Sequence, residues 1–175
     1  MFKFSKVVDA LSAELADEVP NTFTWTTPIR HDPYLVAQLQ RANLELRTLF
    51  TIAAQASDEA AFGAAADALL NCMTKLREVQ RLEALRLYPV LAHQAAGNAN
   101  AGATVAYLRL RTHTLARRFL RLSESLMGAC RARQRVETSA FDEARSALNG
   151  YIEAKELQLY QAYVATAVAA SAAVG

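Results

Sequence analysis

Apolar residues recur at steps of three and four along four stretches of the chain, which is the spacing of one buried face on an α-helix. The alternation of apolar and polar residues that is typical of β-strands between turns is missing. Four inward-facing stripes follow: Val36, Leu39, Asn43, Leu46, Phe50 and Ala53; Leu69, Cys72, Leu76, Val79, Glu83, Leu87 and Val90; Ala106, Leu110, His113, Ala116, Leu120, Ser123, Met127 and Cys130; Phe141, Ala144, Leu148, Tyr151, Lys155, Leu159 and Ala162. The pattern predicts an all-α protein with four long helices.

Turn and cap signals set the expected limits of these helices. The first runs from His31-Asp32-Pro33 to about Ala54, the second from Ser57-Asp58 to about His93, the third from the loop at 97–102 to about Arg135, and the fourth from Thr138 or Ser139 to near Val168. Pro89 is expected to kink the second helix or to tighten its last turn.

Three parts of the chain follow from these limits. Residues 1–30 are predicted to form a short helix, about Ser5–Asp17, and then an irregular arm. Residues 31–168 are predicted to form an antiparallel four-helix bundle, and residues 169–175 a frayed tail rich in Ala and Val.

One prominent polar residue interrupts each stripe. These are Asn43, Glu83, His113 and Lys155. Folding the helices into hairpins brings Glu83 level with His113, and His113 level with the stretch 151–155. The sequence therefore predicts a polar layer in the bundle core, made of Asn43, Glu83, His113, Tyr151 and Lys155.

An internal repeat supports this arrangement. The stretch 79–89 (VQRLEALRLYP) returns 72 residues later as 151–161 (YIEAKELQLYQ), and both copies keep Leu-x-Leu-Tyr. A fainter pair at a spacing of 70 relates Asn43 to His113. Two hairpins of similar build are therefore expected to lie side by side. Tyr88 and Tyr160, which end the two motifs, are expected to pack at the bundle edge with their hydroxyls toward water or backbone.

The charge of the chain is unevenly distributed. Hydrophobic residues make up 53% of it and the net charge is only +2, but residues 75–137 hold twelve Lys and Arg against four Glu, a balance of +8. This basic hairpin is either a solvated outer face or a contact surface for an acidic protein or another anionic partner. We do not expect it to bind nucleic acid, because no aromatic interleaving or nucleic-acid motif accompanies the charges.

Two cysteines, Cys72 and Cys130, lie in apolar helical patterns without metal-type spacing. We expect reduced core thiols in a cytoplasmic protein. No secretory signal pattern is present in residues 1–20, and the apolar run 162–175 is too short to span a bilayer.

The pattern resembles the hemerythrin-like family, also called the HHE cation-binding domain. Leu87-Tyr88-Pro89, Leu159-Tyr160 and the 36-residue step from Asn43 to Val79 carry the resemblance, which covers about residues 31–163. It implies a four-helix bundle that holds two iron ions between His and carboxylate side chains. His113 and Glu83 stand where the family has a third-helix His and a second-helix carboxylate.

The other ligand positions depart from the family. Asn43 replaces the first-helix His, Val79 the second-helix His, Tyr151 the fourth-helix His and Lys155 the fourth-helix carboxylate. Val79 cannot donate a lone pair, and an ammonium group repels a cation. We therefore expect no metal and no cofactor. If a single Zn or Fe ion does bind, the resemblance points to His113, Glu83 and Tyr151 as its ligands.

A buried Glu83–Lys155 ion pair, extended by His113 and Tyr151, is the replacement we expect for the metal cluster. The alternative places Lys155 in water and pairs Glu83 with a neighbour such as Arg86. His113 has two interpretations as well: a neutral core histidine that orients the layer, or a residual metal ligand.

These observations favour a non-enzymatic, metal-free hemerythrin-like protein that acts as a regulatory or interaction module through its basic hairpin and its Ala/Val-rich tail. No nucleophile elbow, phosphate-binding glycine loop or His-Glu-x-x-His motif is present. The alternative is a sensor that binds a metal or small ligand in the bundle core, at a mononuclear Fe or Zn site or a residual di-iron site. Iron redox chemistry follows from the resemblance alone.

Overall fold

The computed structural model describes the backbone of residues 31–172 and the side chains of residues 31–166. Helices account for most of this range, and no β-strand occurs in it. They are α1 (Leu35–Asp58), α2 (Phe62–Leu82), a π-helical turn (Glu83–Leu87), α3 (Tyr88–Ala95), α4 (Ala99–Arg131), α5 (Thr138–Ala154), a second π-helical turn (Lys155–Leu159) and α6 (Tyr160–Ala172). The predicted N-terminal helix and arm, residues 1–30, lie outside the described residues.

Each π-helical turn joins two α-helices without a break, so residues 31–172 form four long helices. We call them the first helix (α1), the second (α2 to α3), the third (α4) and the fourth (α5 to α6). Consecutive helices pack against each other, and the first helix also packs on the fourth. The all-helical prediction and the number of long helices are confirmed.

Several helix ends differ from the prediction. The Asp32 carboxylate accepts a hydrogen bond from the Tyr34 amide at 2.9 Å, and α1 begins only at Leu35. The first helix then continues past Ala54 to Asp58, so Ser57-Asp58 ends it and precedes the second helix without capping it. At the far end of the described chain, α6 continues beyond Val168 to Ala172.

The core confirms most of the predicted stripes. All seven positions of the second stripe are buried, and so are the fourth stripe from Phe141 to Leu159 and the first from Leu39 to Ala53. Phe50 joins three helices by contacting Phe119 and Phe141, with ring centroids 5.6 and 5.9 Å apart. Burying each such ring contributes roughly 1.5–3 kcal/mol.

The third stripe is rotated from the predicted one, of whose members only Ala116, Ser123 and Cys130 are buried; Leu120 and Met127 are half-buried. Its buried residues are Leu108, Thr112, Ala116, Phe119, Ser123, Leu126 and Cys130. Leu110 is half-buried and Ala106 is exposed. Thr112 can turn inward at little cost because its hydroxyl donates to the Leu108 and Arg109 carbonyls of its own helix, both at 3.0 Å.

Both free cysteines are buried, as predicted, at 0% exposure for Cys72 and 1% for Cys130. Within residues 31–172, no helix combines the length and the apolar character that a membrane span requires.

Candidate functional site: a buried polar layer

The two π-helical turns occupy corresponding positions of the 72-residue repeat, at 83–87 and 155–159. In each, the amide of the closing tyrosine bonds to the carbonyl five residues earlier, from Tyr88 to Glu83 and from Tyr160 to Lys155. Pro89 cannot be the cause of both turns, because Gln161 holds its position in the second copy. A π-turn holds one more residue than an α-turn, and such turns are frequent at functional sites.

The first residues of the two turns form an ion pair in the core. The Lys155 ammonium donates to Oε1 of Glu83 at 2.9 Å, and Lys155 is 0% and Glu83 3% exposed. This confirms the predicted buried pair and excludes the alternative with Lys155 in water. Arg86, the other partner considered for Glu83, bonds to Asp32 instead.

Asn43 on the first helix completes the coordination of the ammonium. Its Oδ1 accepts from Lys155 Nζ at 3.0 Å, and its Nδ2 donates to Oε1 of Glu156 at 3.0 Å. The Tyr160 hydroxyl donates to Oε1 of Glu83 at 3.0 Å and lies 3.4 Å from Asn43 Nδ2. Three helices therefore supply a connected network in which the buried charges are paired and hydrogen-bonded.

Tyr151 provides an aromatic face under the ammonium. Lys155 Nζ lies 4.0 Å from the centre of the Tyr151 ring, within the range of a cation–π contact. The Tyr151 hydroxyl is buried and makes no hydrogen bond of ordinary geometry. Burial, together with the negative charge of nearby Glu83, raises the pKa of Tyr151 well above its usual value. The hydroxyl therefore keeps its proton at neutral pH.

Burial also shifts the pKa values of Lys155 and Tyr160, which lie beside Tyr151. It lowers the pKa of Lys155, because water no longer stabilises the ammonium, while the Glu83 carboxylate opposes that shift. It raises the pKa of Tyr160, with a further contribution from the negative charge of Glu83.

The structure corrects the predicted place of His113. Its side chain is exposed on the third helix, and Thr112 takes the inward position. The Thr112 hydroxyl lies 3.0 Å from the Tyr88 hydroxyl. This contact matches the one between Asn43 and Tyr160. Thr112 on the third helix contacts Tyr88, which closes the first π-turn, and Asn43 on the first helix contacts Tyr160, which closes the second. Asn43 therefore corresponds to Thr112 and not to His113.

The prediction also missed Tyr160 and Glu156 as members of the layer. Tyr160, predicted at the bundle edge, is 1% exposed and binds Glu83. The repeated Leu-x-Leu-Tyr was the signal that could have identified it, because both tyrosines reach polar partners inside.

The donor set does not suit the di-iron centre that the resemblance implies. The Lys155 ammonium lies at the centre of the layer, and Val79 supplies no lone pair. His113, Glu83 and Tyr151 line one cavity, but His113 stands on its exposed side and Glu83 is already bound to Lys155. Among residues 31–172, no group of three or more His, Cys, Asp or Glu residues is placed to hold a metal ion.

Comparisons of the chain with models of protein families, with curated proteins and with solved structures return no match.

Proposed function

We propose that this chain is a non-enzymatic, metal-free relative of the hemerythrin-like proteins, an antiparallel four-helix bundle that acts in the cytoplasm as a regulatory or interaction module. The observation that carries the proposal is the position of the Lys155 ammonium, between Glu83 and Asn43 at 2.9 and 3.0 Å. Lys155 holds the place of a carboxylate ligand in the resemblance. A positive side chain there supplies the charge that a cation would otherwise bring.

The network makes this substitution physically reasonable. Without a cation, Glu83 would be a buried carboxylate with only a tyrosine hydroxyl to bind it, which is costly. Lys155 neutralises the charge and also satisfies the Asn43 carbonyl oxygen. Asn43, Glu83, Lys155 and Tyr160 thus stabilise one another as a metal ion and its ligands would.

Metal analysis and an absorption spectrum of protein purified from iron-supplemented cells test the proposal. We expect iron well below one ion per chain and no oxo-bridged di-iron bands. Added Fe²⁺ should not change the unfolding temperature of the wild type or of Lys155→Met, which removes the charge without adding a ligand. It should raise that of Lys155→Glu, which adds a carboxylate to those of Glu83 and Glu156 in the layer. Stoichiometric iron in the wild type would refute the metal-free proposal.

The basic hairpin, residues 75–137, is the contact surface we propose for an acidic protein. Arg117 and Arg121 on its third helix are exposed. Polyglutamate, a simple acidic probe, should bind with an affinity that falls steeply as salt is raised. Reversing both charges, with Arg117→Glu and Arg121→Glu, should weaken that binding, whereas duplex DNA should bind weakly at most. Equal binding by the reversed variant would remove this surface from the proposal.

A second candidate is a small-ligand sensor, and the Tyr151 hydroxyl favours it. Buried hydroxyls are almost always hydrogen-bonded, whereas this one makes no hydrogen bond of ordinary geometry, and Tyr151 lines a cavity. An occupant of that cavity would contact both the Glu83–Lys155 layer and the surface of the second and third helices.

A further inference from the structure

A cavity of about 300 Å³ lies between the second and third helices, beside the polar layer. Its lining includes Arg81, Glu83, Arg109, Thr112, His113 and Tyr151. The first π-helical turn forms part of its wall through Glu83. The cavity therefore joins the buried ion pair to the basic outer surface.

The two arginines give its outer part a positive charge. Arg81 on α2 and Arg109 on α4 are both exposed, and neither forms a salt bridge with a carboxylate in the described part of the chain. The Arg109 guanidinium lies 5.6 Å from the centre of the Tyr88 ring, which holds it near the cavity. Guanidinium groups present several N–H donors in a plane, an arrangement that suits oxygen atoms of carboxylates and phosphates.

The inner part offers a hydrogen-bond donor that is not fully used. The Tyr151 residue is 1% exposed, and its hydroxyl makes no hydrogen bond of ordinary geometry, although the Glu83 carboxylate lies near it. Leaving such a group without a well-placed acceptor is costly, so an anion oxygen that reaches it is favoured. The negative charge of Glu83, which also lines the cavity, is compensated by Lys155 at 2.9 Å.

We propose that this cavity binds a small oxygen-bearing anion, of the phosphate or short-chain carboxylate kind, between Arg81, Arg109 and the Tyr151 hydroxyl. The two guanidinium groups supply the charge that attracts the anion, and Tyr151 donates to one of its oxygen atoms. Chloride fits less well because it lacks the spaced acceptors that three donors on three helices require. The inference rests on the small-ligand candidate for this same cavity and names its ligand class, and it does not depend on whether the core layer holds a metal.

Isothermal titration of the full chain with sodium phosphate and, separately, sodium acetate tests the site, with ionic strength held constant by sodium chloride. We expect saturable binding of at least one of the two anions at one site per chain. Phosphate binding alone would assign a phosphate-type ligand, and acetate binding alone a carboxylate.

Three variants identify the site. Arg81→Gln combined with Arg109→Gln should weaken binding at least tenfold, and Tyr151→Phe, which keeps the ring under Lys155, several-fold. Arg41→Gln combined with Arg47→Gln is the matched control, since both residues are exposed on α1, outside the cavity and outside the basic hairpin; it should bind like the wild type. Circular dichroism establishes that each variant is folded. Absence of saturable binding by the wild type, or an equal loss in the control, would overturn the proposal.

Discussion

Glu83 and Lys155 stand at the same position of two copies of one repeat, 72 residues apart, and they bind each other at 2.9 Å in the core. Each is the first residue of a π-helical turn. Opposite charges at related positions are therefore compensated without solvent. The two hairpins have the π-helical turn at the same position, but one carries an acidic and the other a basic residue there.

A double-mutant cycle measures this interaction. Lys155→Met leaves the Glu83 carboxylate buried without a counter-charge, so we expect the free energy of unfolding to fall by about 3–5 kcal/mol. Adding Glu83→Gln should restore part of the loss, because the orphaned charge is removed. Urea unfolding of the wild type, both single variants and the double variant gives the coupling energy.

The exposed pair Arg118–Glu143, at 3.0 Å, is the control for that cycle. The side chains are 56% and 53% exposed, and solvent screening should keep their coupling below about 1 kcal/mol. Additive losses for Lys155→Met and Glu83→Gln would contradict the ion pair as described.

The stability of the protein should fall in alkaline solution because of its buried tyrosines. The pKa of Tyr160 is raised by burial, above the value of 10.0 expected in the unfolded chain. Below pH 10 both states hold the proton, whereas above pH 10 only the folded state does. The free energy of unfolding therefore decreases as pH rises beyond 10, by up to about 1.4 kcal/mol per pH unit for one such group.

Tyr160→Phe separates this contribution from the others. At neutral pH the variant should be less stable by roughly 1.5–3 kcal/mol, since it lacks the hydrogen bond to the Glu83 carboxylate. Its stability should then fall less steeply above pH 10. Burial lowers the pKa of Lys155, so its titration raises the free energy of unfolding as pH rises. Lys155 is present in both proteins, so this contribution cancels when their pH curves are compared. Parallel curves for the two proteins would show that Tyr160 does not keep its proton in the folded state.

The two thiols should resist modification until the protein unfolds. Cys72 donates to the Leu46 carbonyl oxygen at 3.5 Å, and burial raises its pKa to about 12. Burial raises the pKa of Cys130 too, but Cys130 belongs to a small cluster with Ala65 and Ala66 at the end of α4. Helix ends open more readily than the core. In the single-cysteine variants Cys130→Ala and Cys72→Ala, a thiol reagent at mildly alkaline pH should modify Cys130 faster. Rapid labelling of Cys72 in native protein would be inconsistent with its position in the core.

The sequence was most informative where two independent patterns agreed. The second and fourth stripes have both helical spacing and the repeat, and these correctly placed Glu83, Tyr151 and Lys155 inside. A strictly α-helical period predicts Tyr160 at the bundle edge, and this is wrong. The π-turn adds one residue, so that Leu159 and Tyr160 both face the core. No residue preference in the two copies of the repeat predicts such a turn.

The third helix shows a different limit. The stretch 107–113 (YLRLRTH) alternates apolar and basic residues, and this spacing does not define one face of a helix. Leu108 with Thr112 and Leu110 with His113 are equally good inward pairs by pattern. Tertiary contacts decide between them, because the Thr112 hydroxyl meets Tyr88 and the carbonyls of its own helix.

Two buried hydroxyls of the third helix should therefore respond in opposite directions to deletion. Ser123 is 0% exposed and its hydroxyl has no hydrogen-bond partner, so Ser123→Ala should raise the free energy of unfolding by about 1 kcal/mol. Thr112→Val should lower it by a similar amount, about 1 kcal/mol, since Tyr88 loses its partner. Ser125→Ala, exposed on the same helix, is the control and should stay within about 0.5 kcal/mol of the wild type. Urea unfolding at neutral pH measures all three. A stability loss for Ser123→Ala comparable to that of Thr112→Val would mean that the Ser123 hydroxyl is hydrogen-bonded after all, and that its half of the third helix sits differently in the core.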